Sequence, residues 1–93
     1  MIGSFRDKAL EAFCYEGSAR RIPADLQAVI RRKVDMLDIA TDLNDLRVPP
    51  ANHLEALGGD RKGCHSIRVN RRWRVVFRWR EGAAHDIEFV DYH

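Results

Sequence analysis

The chain changes its hydrophobic period once, and this change limits the folds open to it more than any other feature. Up to Leu46 the apolar residues recur about every 3.6 positions, as on amphipathic helices, and after Gly63 they alternate, as in half-buried strands. This order predicts an α+β fold, with two to three helices packed on one face of a curved antiparallel sheet of about four strands. The other sheet face is expected to stay open to solvent or ligand.

Local end signals set the predicted helices. The first runs from Lys8 to Glu16, after Asp7 and before Gly17, a residue suited to a helix C-terminus. The second begins near Pro23, because proline fits a first helical turn. Its predicted core stripe is Leu26, Val29, Ile30, Lys33, Leu37 and Ala40. Lys33 is expected to extend its amine from this stripe to solvent.

Shorter features flank the helices. Ile2 to Phe5 is compatible with a short strand, and Thr41 is expected to cap a turn that ends at Leu46. Val48-Pro49-Pro50 then breaks any helix and leads into an irregular loop.

Three strands are predicted in the second half. Pairing Val69 with Trp73 across a short turn keeps apolar residues opposite one another and sets Arg68 directly opposite Arg74. The last strand, His85 to Val90, follows a turn formed by Glu81-Gly82-Ala83-Ala84.

The length of 93 residues predicts one domain, residues 1–93, with room for a shallow site but not for a deep cofactor crevice. No apolar run approaches the roughly 20 residues of a membrane span, and the amino terminus lacks the apolar core of a signal peptide. We expect a cytoplasmic protein that does not associate with membranes.

Metal and cofactor chemistry are not expected. Cys14 and Cys64 lack CxxC spacing and are predicted to be small core residues. The histidines lack the i, i+4 spacing of a helical metal site; they are His53, His65, His85 and His93.

Positive charge is concentrated in one stretch, although the net charge is only +2. From Arg61 to Arg80 there is no acid, and the bases are Arg61, Lys62, Arg68, Arg71, Arg72, Arg74, Arg78 and Arg80. Guanidinium groups match phosphate oxygens, so a phosphate-rich partner is indicated. Arg61, Lys62, Arg71 and Arg72 lie in predicted loops, where they either follow a nucleic acid backbone or simply form solvated tips.

The open sheet face is predicted to bind an anion. Arg68 and Arg74 repel each other when they face across two strands, unless an anion lies between them, and Arg78 would widen such a site. The alternative is that Asp86 and Glu88, on the neighbouring strand, neutralise these arginines.

The chain ends on Asp91-Tyr92-His93, three side chains suited to RNA chemistry. Metal-free RNA cleavage needs groups that move protons and cations that stabilise the charge on phosphorus. His93 exchanges protons near neutral pH, Tyr92 can stack on a base, and Asp91 can orient an imidazole or an arginine. The alternatives to these catalytic roles are that Tyr92 is a core aromatic residue and that Asp91 forms an ion pair with a nearby arginine.

Six segments together resemble the HigB-like branch of the RelE superfamily, toxins of bacterial toxin-antitoxin pairs that cleave messenger RNA on the ribosome. These segments are Met1-Ile2-x-Ser4-Phe5, Asp38-Ile39-Ala40-Thr41-Asp42-Leu43, Leu57-Gly58-Gly59-Asp60-Arg61-Lys62-Gly63, Ser66-Ile67-Arg68-Val69, Trp73-Arg74-Val75-x-Phe77 and Asp91-Tyr92-His93. The resemblance covers essentially the whole chain.

The resemblance implies that Arg74 stabilises the scissile phosphate and that Asp91, Tyr92 and His93 supply orientation, base contact and proton transfer. Basic patches would contact ribosomal RNA. The implied partner is a small helix-turn-helix antitoxin, HigA-like, and the complex would repress its own operon, so that operator DNA is reached only through the antitoxin.

Two positions depart from some family members. Glu55 stands where they have a catalytic histidine, and Gly58 where they have a lysine. Either Glu55 is the base, or His93 works with less help and cleavage is slow. Two other functions therefore stay open: a non-catalytic co-repressor that binds the antitoxin, and a general single-stranded RNA-binding module.

Overall fold

The computed structural model describes residues 1–18 and 20–91. Its α-helices are α1 (Lys8–Glu16) and α2 (Gln27–Ile39), and its strands are β1 (Glu55–Ala56), β2 (His65–Arg68), β3 (Trp73–Arg80) and β4 (Ala83–Asp91). Short 3₁₀ turns connect them at Ala24–Leu26, Leu43–Arg47, Pro50–Asn52 and Gly59–Arg61. The strands form one antiparallel sheet in the order β1-β2-β3-β4. The predicted α+β fold is confirmed.

Asp7 fixes the start of α1 and ties it to the sheet. Its Oδ1 accepts hydrogen bonds from the backbone N–H groups of Ala9 and Leu10, at 3.0 and 3.1 Å. Its Oδ2 accepts one from the backbone N–H of Phe89 in β4, at 3.1 Å. Gly17 ends the helix with φ 73°, as predicted.

Replacing Asp7 with alanine is expected to lower the free energy of unfolding by about 2 kcal/mol, since a helix cap and a hydrogen bond to β4 are lost together. Urea denaturation measures the change. The Asp7→Asn protein, which keeps one acceptor oxygen, should lose less. Equal stability of wild type and Asp7→Ala would show that this double contact contributes nothing.

Helix α2 differs from its prediction at two positions in the core stripe. Its buried residues are Ile30, Lys33, Val34 and Leu37, whereas Val29 is only half-buried. Pro23 precedes the 3₁₀ turn that leads into α2 and lies outside the helix itself. Lys33 does not extend its amine away from the protein as predicted: the residue is 5% exposed, and its Nζ donates a 2.5 Å hydrogen bond to Oδ1 of Asn52.

The predicted register of β2 and β3 is confirmed, since Arg68 pairs with Arg74. Ile67, Val75 and Phe77 lie on the helix-facing side of the sheet and are fully buried. The opposite side is less open than predicted. Ser66 and Val76 pair across it and are 0% and 1% exposed, and Arg74 is 9% exposed.

Strand β4 begins two residues earlier than predicted, so the turn contains Glu81 and Gly82 and excludes the two alanines. A bulge interrupts its pairing with β3, and Asp86 has φ 52° there. The bulge breaks the period of two that a sequence prediction relies on. Residues 2–5 make isolated bridges to β4 at Ile2 and Phe5 and do not form the expected strand.

The connection between α2 and β2 brings an unpredicted strand. Asp42, and not Thr41, caps the 3₁₀ turn at Leu43–Arg47, because its side chain accepts from the N–H of Asn44. The chain then reaches β1, where Glu55 pairs with Ser66 at the free edge of β2. Within residues 1–18 and 20–91, no helix is long and apolar enough to cross a membrane.

Candidate active site

Arg74 lies at the centre of a hydrogen-bonded cluster on the side of the sheet away from the helices. Its Nη1 donates to Oγ of Ser66 at 2.9 Å and to the carbonyl of His53 at 3.2 Å. Its Nη2 donates to Oε1 of Glu55 at 2.8 Å. The side chains of Arg74 and Glu55 are 10% and 45% exposed. A buried guanidinium is therefore held in one orientation beside a carboxylate that solvent reaches.

The strand pairing explains why these residues meet. Glu55 is the register partner of Ser66, and directly opposed residues project from the same side of a sheet. His53 precedes β1 with φ 45°, a left-handed conformation that ends the 3₁₀ turn at Pro50–Asn52. Burying a charge is costly unless hydrogen-bond acceptors surround it, so the contacts offset the burial of Arg74.

Arg68 is the second cation beside this cluster. It is half-buried, and its Nε donates to the carbonyl of Asn70 at 3.1 Å. Glu55 supplies the negative charge next to the Arg68 and Arg74 pair that the register predicted. Arg74 therefore has a carboxylate contact that the sequence prediction did not include.

Arg78 and Arg61 form a separate charged group at the other end of the sheet. Nε of Arg78 lies 3.8 Å from Oδ2 of Asp86, and its Nη1 donates to the carbonyl of Lys62 at 3.5 Å. Arg61 forms an ion pair with Glu88, which also lies 3.5 Å from Arg6. Of the alternative interpretation, only the contact between Asp86 and Arg78 is present among the described residues, because Glu88 pairs with Arg61 and Arg6 and Arg74 pairs with Glu55. Arg78 does not widen the Arg74 cluster.

Asp91 lies in register with Trp73, on the sheet side opposite to Arg74. Its Oδ2 accepts a hydrogen bond from Nε of Arg72 at 2.7 Å and lies 2.7 Å from Nη2 of the same guanidinium, within ion-pair distance. This hydrogen bond and ion pair raise the pKa of Arg72 above its ordinary value. The ion pair weighed for Asp91 is therefore present. Tyr92 and His93 lie outside the described residues.

Lys62 and Arg71 are exposed and, within the described ranges, their side chains make no hydrogen bond or ion pair. The sequence prediction missed Ser66 and the backbone of His53 as partners of Arg74. The alternation that placed Arg68 and Arg74 on one face also places Ser66 there, so this signal was present. No sequence signal indicates the carbonyl of His53.

Comparison with known proteins places the chain in a family. Residues 3–93 match a family model described as RelE-like toxin of type II toxin-antitoxin system HigB. Toxin HigB-1 of Vibrio cholerae is 45% identical over 82 residues, covering 86% of this chain and 85% of the relative. Endoribonuclease HigB of Proteus vulgaris is 33% identical over 93 residues, covering all of both chains. The chain therefore belongs to the HigB-like family of RelE-like toxins of type II toxin-antitoxin systems, as its motifs predicted.

Proposed function

We propose that the chain cleaves messenger RNA on the ribosome without a metal ion, and that Arg74 binds the scissile phosphate. Family membership and the Proteus relative named as an endoribonuclease support the class of enzyme. The observation that carries the assignment of Arg74 is its fixed guanidinium, held between Ser66, the carbonyl of His53 and Glu55. A preoriented cation stabilises developing charge without reorganising during the reaction.

The proposed reaction is an internal transfer at phosphorus. The ribose 2′-oxygen attacks the phosphorus, its proton goes to a base, and the bond to the 5′-oxygen breaks as an acid protonates that oxygen. The products are a 2′,3′-cyclic phosphate and a 5′-hydroxyl. Arg74 stabilises the negative charge that accumulates on the phosphoryl oxygens, with Glu55 displaced from, or sharing, the guanidinium.

The carboxyl-terminal residues are proposed to supply the proton transfers. His93 exchanges protons near neutral pH, and Tyr92 stacks on a base of the substrate. Asp91 holds Arg72 at the hairpin turn, where this arginine can contact a backbone phosphate. We assign phosphate contacts on mRNA or ribosomal RNA to Arg61, Lys62, Arg68, Arg71, Arg72 and Arg78.

Glu55 is proposed as a positioning residue for Arg74, with His93 as the main proton carrier. The Glu55→Gln protein keeps an acceptor for Nη2 of Arg74 and should lose less than about 10-fold in single-turnover cleavage, because a lost catalytic base costs about 100-fold or more. Glu55→Ala removes the acceptor and should cost more than Glu55→Gln.

The pH dependence of the rate separates the two roles of Glu55. A positioning residue leaves the shape of the pH profile unchanged in Glu55→Gln. Equal, large losses in Glu55→Gln and Glu55→Ala, with one limb of the profile missing, would identify Glu55 as the base instead.

A type II toxin has an antitoxin as its partner. We propose that this antitoxin is a HigA-like helix-turn-helix protein, that the pair represses its own operon, and that the toxin reaches operator DNA only through it. Residues 1–93 are proposed to act as one toxin domain in the cytoplasm, where the ribosome supplies the substrate.

Expression without the antitoxin tests this function against its alternatives. The proposal predicts growth arrest and new transcript 5′ ends at ribosome-occupied codons. Antitoxin and operator binding without new 5′ ends would indicate a co-repressor. Salt-sensitive binding to free RNA with no effect of ribosomes would indicate a general RNA-binding module.

A further inference from the structure

A cleft of about 400 Å³ lies between α2 and the turn that joins β2 to β3. We call it the basic cleft; its polar lining residues are Arg32, Lys33, His53, Arg68, Asn70 and Arg71. Among the described residues that line it there is no Asp or Glu. The cleft therefore concentrates positive charge that no carboxylate on its own walls offsets.

Lys33 is the least exposed of these cations. Within the described part of the chain, the acceptor for its Nζ is Oδ1 of Asn52, at 2.5 Å. Asn52 is fully buried, and its amide donates to the carbonyl of Leu46 at 3.1 Å, which turns Oδ1 towards the lysine. An ammonium group has three N–H donors, so this contact satisfies one of them.

A cation buried without a counter-ion is unfavourable, and an anion in the cleft would remove that cost. Burial, with a smaller contribution from the neighbouring Arg32, lowers the pKa of Lys33. Asn52 holds the amine but carries no charge. A bound anion would supply the missing charge and the missing acceptors together.

Two residues join the basic cleft to the Arg74 cluster. Arg68 lines the cleft and is the register partner of Arg74. His53 also lines it, and its carbonyl accepts a hydrogen bond from Arg74. The basic cleft therefore adjoins the Arg74 cluster through these two residues.

We infer that the basic cleft binds a backbone phosphodiester of RNA adjacent to the one held by Arg74, with Lys33 and Arg32 as its principal contacts. This inference rests on the proposed function, because it takes the Arg74 cluster as the place of the scissile phosphate. The phosphodiester belongs either to the substrate strand or to ribosomal RNA, which share the same chemistry.

The test compares Lys33→Gln, Arg32→Gln and Arg71→Gln with the matched control Arg80→Gln. Lys33→Gln removes the charge but keeps a donor for Asn52. Arg32, Arg71 and Arg80 are exposed, and the side chain of Arg80 makes no hydrogen bond or ion pair within the described ranges. Circular dichroism establishes whether each variant is folded. If Lys33→Gln does not fold, the variants Arg32→Gln and Arg71→Gln, which change exposed residues of the cleft, still test the inference.

The probe is a short fluorescein-labelled single-stranded RNA that carries 2′-O-methyl groups throughout and so resists cleavage. Fluorescence anisotropy over a range of salt concentrations gives the affinity and its salt dependence. If the phosphodiester belongs to the substrate strand, each cleft substitution should lower the slope of log affinity against log salt by about 0.7, the value for one lost phosphate contact on a single strand. Arg80→Gln should leave the slope at its wild-type value.

A second arm measures binding to ribosomes that hold no messenger RNA. Weaker binding of the cleft variants to the oligonucleotide assigns the phosphodiester to the substrate strand, and weaker binding to empty ribosomes alone assigns it to ribosomal RNA. The inference is overturned if Lys33→Gln, Arg32→Gln and Arg71→Gln match Arg80→Gln in both arms. It is equally overturned if these variants lose only antitoxin binding, since the cleft then receives an acidic protein segment.

Failure of the proposed function would be seen separately. The probe cannot be cleaved, so its binding does not depend on catalysis. A wild-type protein that binds the probe through the cleft but cuts no ribosome-bound message would refute the nuclease assignment and leave the cleft assignment standing.

Discussion

Replacing Arg74 with alanine is expected to slow single-turnover cleavage of ribosome-bound messenger RNA by about 100- to 1000-fold, the usual cost of removing one preoriented donor to a transition-state oxyanion. The guanidinium is fixed by Ser66, the carbonyl of His53 and Glu55 before substrate binds. Arg74→Lys keeps the charge but loses the planar fork, so its rate should be intermediate. The measurement uses purified protein, ribosomes and a defined message.

Folding must be separated from chemistry in this comparison. Arg74→Ala leaves the buried hydroxyl of Ser66 without its arginine donor, at a cost of about 1–3 kcal/mol in stability. Urea denaturation therefore accompanies the rate measurements, which are made where all variants are folded. Arg80→Ala, which removes an exposed arginine, is the control. Comparable growth arrest from wild type and a folded Arg74→Ala protein would show that the role assigned to Arg74 is wrong.

Replacing His93 with alanine is expected to reduce the same rate by about 100- to 10,000-fold, the usual contribution of a positioned acid or base. The rate of His93→Ala should also respond less to pH near neutrality, because the imidazole is the group proposed to titrate there. Tyr92→Phe is the matched change, since it keeps the aromatic ring for stacking and should cost less. A wild-type rate for His93→Ala would remove the terminus from the proton-transfer steps.

The features predicted correctly from the sequence depend on local signals. Helix α1 has the predicted ends because Asp7 and Gly17 act within one turn of it. The pairing of Arg68 with Arg74 was predicted from the hydrophobic alternation, because a slip of one residue in the register would move every side chain to the other face of the sheet.

The features missed depend on contacts between distant segments. Strand β1 has two residues and forms only because β2 offers a free edge. The bulge at Asp86 is fixed by Ser4, whose Oγ accepts from its backbone N–H at 2.9 Å across 82 positions of the chain. Local propensity does not indicate either contact. The start of β4 was therefore predicted two residues too late, and residues 2–5 were predicted to form a strand instead of isolated bridges.

The same limit applies to the candidate site. The sequence indicated Arg74 and Glu55 separately but not that they bond to each other, since 19 residues separate them. Lys33 was predicted to extend to solvent, which is the usual behaviour of a lysine on a helix stripe. Asn52, also 19 residues away, holds it inside instead, and only the folded chain shows the basic cleft that results.

The most direct test of the account is the mapping of cleavage products from a defined message incubated with wild-type protein, with and without ribosomes. Cuts are expected within ribosome-occupied codons, only when ribosomes are present, and the products should carry 5′-hydroxyl and 2′,3′-cyclic phosphate ends. Cuts in free RNA at the same rate, 5′-phosphate ends, or no cuts at all from folded protein would contradict it.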